Sequence, residues 1–552
     1  MTSPFESISE RILRSHRDFY AAHAAVLGLH QYDGALSDLS ALSIRSRVAD
    51  VEGQRASPEA VPFGSLSDDD RFDHAVLAAN LKRELLDYTE LRVHATNPEA
   101  MLWHIDPSPY ILRNYAPLET RADALANALS QVPRVTRDLA THLATGEAAR
   151  PVLDAVMDSY RGMAEFYERD IAEAVAELEG TPAYDRVMDQ CQLAAKAVDE
   201  FVESMRSLAA SADEDFAIGA DLFAKLLAIS EMVDTPLDTL LRVGRQDLAR
   251  NERRLEAVAK SVDREANVGA VVASAACLHP TADNLLPETA DLLEEIRTFI
   301  SEHYLIGLPT EFRCDVVKTP SFMDWSFAAM DTRGPFETDA TESYYYVTPP
   351  RDEWTAQQKE EWLTSYSYGI LRSMSVHEAY PGHFVQYLHS RAVESSVRKT
   401  FWSYAFAEGW AHYVEEVMIE EGFGDQDPFA EIGQLQEALM RNCRLICAIE
   451  MHASSMSVDQ AARFFMDHAF LEETPAQVEA TRGTFDPSYL KYTLGKLMFL
   501  ELRGENRRLK GDDFFLREFH DRALSFGEPP IPLLRAQMLN RDIEIPFSDA
   551  RC

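Results

Sequence analysis

Apolar positions recur along most of the chain at three- and four-residue spacing, the period of a helix with one buried face. The first such segment is "SPFESISERILRSH", residues 3–16. Ser3 can cap, Pro4 suits the first helical position and Glu6 completes a capping box. Ile8, Ile12 and Leu13 then repeat at helical spacing, and Gly28 offers an end. The same texture predicts long helices over 69–92, 118–146, 151–178, 183–211 and 236–262, whose heads carry Asp, Glu or Pro. It changes near 305–350. There "EFRCDVVKTP" and "ESYYYVTPP" are rich in β-branched and aromatic residues and end in Pro, as strands of a small sheet would. Helical patterns then resume. The expectation is a mainly α protein, with a helical region over 1–300 and a second region over 301–552 that holds the sheet. No flexible linker marks the boundary, which is therefore soft.

Composition narrows the class. The chain has 552 residues, 46% hydrophobic and 26% charged, which is ordinary for a soluble globular protein and long enough for more than one core. Its formal net charge of −38 argues against nucleic acid and against anionic membrane surfaces as partners. No run approaches the roughly 18 apolar residues of a membrane helix. The first residues lack the charged-then-apolar plan of a signal peptide. Cys191, Cys277, Cys314, Cys443, Cys447 and Cys552 are scattered, without paired CxxC units or a disulfide framework. Cys443 and Cys447, one helical turn apart, read as core. A reducing cytoplasm is the expected location.

The chemistry concentrates in "SVHEAYPGHFVQ", residues 375–386. Zinc favours imidazole nitrogens and a carboxylate, and two ligands on one regular helix must stand about a turn apart. His377 and His383 are six residues apart, so a regular helix turns them about 120° off a common face. Pro381 lacks an N–H and clashes with the carbonyl of residue 377, so the helix must open there. Gly382 admits an unusual backbone conformation. A bulge of two residues would then return His383 to the face of His377. A third ligand is expected from "FAEGWAHYVEE", residues 406–416, on a separate antiparallel helix. Glu408 is its first acidic residue, and Gly409 leaves room for close approach. Glu415 falls on the face of Glu408 and could orient a ligand from behind. His412, one turn from Glu408, is the other candidate ligand. The plain alternative is that the histidines end a helix and Glu408 is a solvated charge.

"HEAYPGHF", "EGWAHYVEE" and "YTLGKLMFLELR" resemble the three signatures of the domain of unknown function family 885, which is grouped with the zincin-like metallopeptidases. "LGLHQYDGALSDLS", residues 27–40, and "FHDRALSFGEPPIPLL", residues 519–534, look like that family's opening and closing segments. The resemblance covers nearly the whole chain. It implies a mostly helical, two-lobed enzyme around a cleft, of the Glu-zincin type. His377, His383 and Glu408 would hold one zinc ion, and Glu378 would be the general base. Family members commonly carry a second His directly after the Pro-Gly-His. Here that position is Phe384, which is taken as a neighbour of the site rather than a lost ligand.

The activity so implied is zinc-dependent cleavage of amide bonds in short peptides. An amidohydrolase acting on a small non-peptide amide would use the same residues, and a binding protein with a decayed metal site would keep only their outline. In "DPSYLKYTLGKLMFLELR" Tyr489 and Tyr492 are three apart, so both can face the cleft, and Tyr492 is the preferred donor to an oxyanion. Packing explains either ring equally well. Lys496 and Arg503 are candidates for a substrate carboxylate, though a solvated face explains them as well, and "ESYYYVTPP" is either a strand that pairs with an extended substrate or a plain core strand. No feature sets an oligomeric state.

Overall fold

Helix follows helix through the first three hundred residues of the computed structural model, which describes residues 4–59, 66–320, 323, 326–425 and 427–542. The expected helices over 183–211 and 236–262 are Pro182–Ala209 and Leu237–Val262, and that over 69–92 is Asp68–Thr89, capped by the Ser67 side chain. Two expected helices are broken. The 118–146 segment forms Leu118–Leu129 and Val132–Leu143, because Pro133 opens the second helix and has no N–H to continue the first. The 151–178 segment runs as Arg150–Glu165, widens to a π turn over Phe166–Asp170 and tightens again over Ala176–Leu178. The first helix, Pro4–Phe19, also stops early. A short helix, Ala21–Val26, follows, and Gly28 with φ +90° lies beyond that one. The cap assigned to Ser3 lies outside the described residues.

Among the described residues the small sheet has three strands, β1 (Asp315–Lys318), β2 (Ala328–Thr332) and β3 (Ser343–Val347), in the order β1-β3-β2. β1 and β3 are the two expected strands. They pair in parallel with Asp315 opposite Tyr344, and β2 pairs antiparallel with Ala328 opposite Val347. β2 carries no β-branched run and is half-buried throughout, so period-two patterning could not mark it. β3 is the central strand. Both its edges are taken, which favours the plain core strand over one that pairs with a substrate. The outer edges of the sheet belong to β1 and β2.

Apolar packing divides the chain differently from sequence order. One core runs from Phe5 through Val76, Leu240, Ile300, Tyr345, Trp410 and Phe499 to Leu534. A second is built inside 22–209, around Leu39, Leu125, Leu153, Tyr160 and Val198. The expected division near residue 300 therefore falls inside the first core. Pro4–Phe19 and Asp68–Thr89 both pack against the short helix Ser396–Thr400, and Phe72 meets Phe526. A cavity of about 2420 Å³ has walls from both cores.

Helices Tyr404–Glu420 and Lys491–Lys510 cross glycine on glycine. A Cβ on Gly495 would lie 2.0 Å from the Ala405 carbonyl oxygen and 2.6 Å from the Gly409 Cα. These are backbone atoms and cannot turn aside, so the two helices would have to part. Gly495→Ala should cost on the order of 2–3 kcal/mol or more, read as a lowered melting temperature. An unchanged melting temperature would show that the crossing tolerates a methyl group.

Candidate metal centre

Helix Tyr368–Glu378 begins at Ser367, whose hydroxyl accepts from the Ile370 N–H, and it ends one residue after His377. Ala379, Tyr380, Pro381 and Gly382 leave the helical path, with a cis bond between Tyr380 and Pro381, and a new helix runs His383–Arg391. The proline thus opens the helix as expected, but the result is two helices rather than one with a bulge. Gly382 is required for space. A Cβ there would lie 1.8 Å from the His377 carbonyl oxygen. The Trp410 indole N–H, from helix Tyr404–Glu420, donates to the Pro381 carbonyl at 3.0 Å and ties the break to the next helix. The rings of His377 and His383 stand 4.9 Å apart and nearly perpendicular.

One ligand atom each from His377, His383 and Glu408 falls within 4.8 Å of the others. Glu408 Oε2 lies 3.3 Å from His377 Nε2 and 3.4 Å from His383 Nε2. The far nitrogens decide the tautomers. His377 Nδ1 is 2.6 Å from a Glu415 carboxylate oxygen, which only accepts, so Nδ1 carries the hydrogen and Nε2 presents a lone pair. His383 Nδ1 lies 3.2 Å from Gln386 Oε1, with the same consequence. Three lone-pair atoms therefore converge, and the buried Glu408 Oε2 has no aligned hydrogen-bond donor. Only a cation, a proton or a metal ion, satisfies all three.

The electrostatics agree. Burial would raise Glu408, yet the two histidines hold it well below the usual carboxylate range. Burial would lower His383, but the charge of Glu408 and the contact with it push the imidazole up to about 9. For His377, burial and the Arg441 guanidinium push down, and contacts with Glu408 and Glu415 outweigh them. Glu415 is itself fully buried, and it accepts from the Ser373 hydroxyl at 3.1 Å and from Arg441 at 3.2 Å. His412 also turns to Glu415, at 3.3 Å, and does not join the three.

The remaining expected residues divide. Glu378, half-buried, lines the cavity beside His383, and so does Tyr492, whose ring stacks on His377 at 6.2 Å. Tyr489 does not. It precedes helix Lys491–Lys510, so helical spacing does not relate it to Tyr492, and its buried hydroxyl lies against Gly483. Lys496 is fully buried and bound to Asp247 at 2.8 Å, with Glu416 at 3.5 Å, and cannot meet a substrate. Arg503 pairs with Glu420 at 2.7 Å over the Tyr413 ring, outside the cavity lining. Phe384 points into the core against Tyr380 and leaves the three ligand atoms undisturbed.

Sequence reasoning passed over several neighbours. Gln386 and Tyr387 stand three and four residues after His383, and Tyr404 four before Glu408, so helical spacing held their signal. Arg441 carried none, since it reaches Glu415 from a helix of its own, Pro428–Ala453. Glu528, in the "FGEPPIP" turn, is buried near His383 and Glu408. Burial drives its carboxyl up to about 7, with His383 opposing and Glu408 adding to the rise.

A family model for bacterial proteins of unknown function (DUF885) matches residues 22–538. No curated protein matches the chain. Among solved structures, it is similar to a protein of unknown function from Shewanella oneidensis described as a lipoprotein. Identity is 22%, with 97% of this chain and 100% of that one covered, at a TM-score of 0.79. A second, from Colwellia psychrerythraea and also described as a lipoprotein, is 17% identical over 98% of this chain and 99% of its own, at a TM-score of 0.82. At these identities the likeness speaks for the fold alone. An M32 carboxypeptidase from Deinococcus radiodurans R1 superposes at a TM-score of only 0.39, with 12% identity over 98% and 97% of the two chains, too loosely to bear on either fold or activity.

Proposed function

We propose that this chain, which belongs to the DUF885 family of bacterial proteins of unknown function, is a zinc-dependent, zincin-like hydrolase that cleaves amide bonds in short peptides. The observation that carries the reading is the convergence of three lone pairs, from His377, His383 and Glu408, on the wall of a cavity. Two imidazoles and a carboxylate suit zinc and leave a position open. Zinc held there would polarise the substrate carbonyl and acidify a water. Glu378 follows His377 directly and faces the cavity, so it takes a proton from that water as the oxygen adds to the carbonyl carbon. The same carboxyl passes the proton to the amide nitrogen as the C–N bond breaks, and the added oxygen stays with the acid product. Glu415 fixes the His377 tautomer, and Arg441 keeps Glu415 ionised. Ala328, Ala329 and Met330 of β2, one of the two edge strands, line the cavity, so an extended peptide can add to that strand.

Walls on both sides of the cavity favour a short peptide over a folded protein. Among the described residues no helix is long and apolar enough to cross a membrane. The five described cysteines are all free, which supports the cytoplasmic reading. Two solved neighbours described as lipoproteins make cell fractionation its check. The acidic surface supports a small ligand rather than a nucleic acid or a membrane as partner.

Purified protein should hold about one zinc per chain, and it should cut members of a peptide library in a chelator-sensitive way, read by mass spectrometry. Absence of divalent metal after zinc is supplied would leave a binding protein with a decayed site. Metal without cleavage of any peptide would point to a small amide as substrate.

Tyr492 is the expected donor to the oxyanion. Its hydroxyl lies 3.4 Å from that of Tyr404, and its ring sits between His377 and three arginines. Tyr492→Phe should keep zinc and fold and lower kcat by about 10²–10³ with KM little changed. Tyr489→Phe is the control and should do much less. Two near-normal variants would move the donor to another segment, Tyr387 first.

A further inference from the structure

A substrate carboxylate needs a cation that faces the cavity and still has a donor to spare. Lys496 and Arg503 fail that test, as shown above. Arg441 and Arg444 approach the Tyr492 ring at 5.8 and 4.9 Å, but both are buried and already bound, Arg444 to both oxygens of Glu479 at 2.7 Å. Lys491 lines the cavity, yet it is buried against Glu231 at 2.9 Å.

Arg482 differs. It comes from helix Glu473–Phe485, lines the cavity, and leaves 25% of its side chain exposed. Its guanidinium carbon is 5.9 Å from the Tyr492 ring centre. Nη2 donates to the Tyr404 hydroxyl at 3.1 Å and to Asp486 at 2.9 Å, and Nε donates to Asp486 at 3.2 Å. No hydrogen bond among the described residues uses Nη1. Trp402, 54% exposed, lines the same cavity edge-on to Tyr404, and Val478, 60% exposed, stands one turn before Arg482.

We infer that Arg482, aided by the Tyr404 hydroxyl, receives the free C-terminal carboxylate of a peptide, so that the enzyme trims peptides from that end. The inference rests on the hydrolase reading and supplies its substrate class. The path from His377 through Tyr492 and Tyr404 to Arg482 is made of direct neighbours. At roughly 3.3–3.6 Å of chain per residue, it leaves room for one or two residues beyond the scissile bond. Trp402 and Val478 offer an apolar rest for the last side chain, so a large apolar C-terminal residue is preferred. A guanidinium suits the ligand because its planar donors match a carboxylate.

The test separates binding from turnover. Metal-free protein is titrated by calorimetry with one hexapeptide ending in Phe, made as the free acid and as the C-terminal amide. The acid should bind about 10–100-fold tighter, the worth of a charge-assisted hydrogen bond. Arg482→Gln, checked by its melting temperature, should bind the two forms alike, and Arg482→Lys should restore part of the preference. Tyr404→Phe should weaken it by a smaller factor. The zinc-loaded enzyme should release Phe or a C-terminal dipeptide from the acid, with a higher KM for the amide. Equal binding of acid and amide by the wild type overturns the proposal, as does a preference that survives in Arg482→Gln. Preference without hydrolysis would keep this subsite and discard the hydrolase. Hydrolysis of both forms with equal KM would do the reverse.

Discussion

Glu378→Gln protein should keep the proposed zinc and lose nearly all turnover. The substitution preserves size and hydrogen-bonding reach but cannot accept a proton at neutral pH. Positioned proton transfer contributes about 10²–10⁴-fold to a reaction of this kind, and the loss should fall in that range. The metal should stay because Glu378 is not among the three converging ligand atoms, which belong to His377, His383 and Glu408. The fold should stay because Glu378 is the last residue of its helix and only half-buried, so no core contact depends on its charge. The measurement is kcat on the best library peptide, with zinc content and melting temperature beside it. Near-normal turnover in a zinc-loaded Gln variant would remove Glu378 from the mechanism.

The second large effect separates two adjacent residues. His383→Ala removes one of the three proposed ligands, and zinc affinity should fall by more than the 10–100-fold that loss of a supporting contact behind a ligand costs. The overall fold should survive, since the ring lines the cavity rather than the core. Phe384→Ala should behave in the opposite way. Phe384 is 1% exposed and packs edge-on against Tyr380 with ring centres 5.4 Å apart. Truncating such a ring costs about 3–5 kcal/mol, so the protein should melt early while still taking up zinc. Elemental analysis and thermal melts of the two variants read both effects. Zinc lost from Phe384→Ala and retained by His383→Ala would mean that the break after Glu378 presents the other side chain to the cavity.

Much of the local structure was legible along the chain. Three- and four-residue spacing marked the helices, because a helix buries one stripe whatever it packs against. Pro381 announced a break, because a residue without an N–H cannot continue a helix in any context. The same reasoning singled out His377, His383, Glu408 and Glu415; the fold brings one atom of each of the first three within 4.8 Å, and Glu415 contacts His377. All four lie within one stretch of the chain, between residues 377 and 415.

What failed were inferences about which face of a helix meets what. Lys496 lies on the same helix as Tyr492, yet it turns to Asp247 from the Leu237–Val262 helix, a partner 249 residues away. Tyr489 was related to Tyr492 by a period that does not hold, because the helix begins at Lys491. β2 lacked alternation because neither of its faces is fully buried, and only its pairing with β3 makes it a strand. Arg441, Arg482 and Tyr404 gather around the site from three separate helices. The sequence by itself determined the helical periods, the break at Pro381 and the residue types at the candidate site, since these depend on neighbours a few positions away. Only the tertiary structure decided which charges face the cavity and which are matched in the core, because a helix's own period does not say which of its sides will meet another helix and which will meet water.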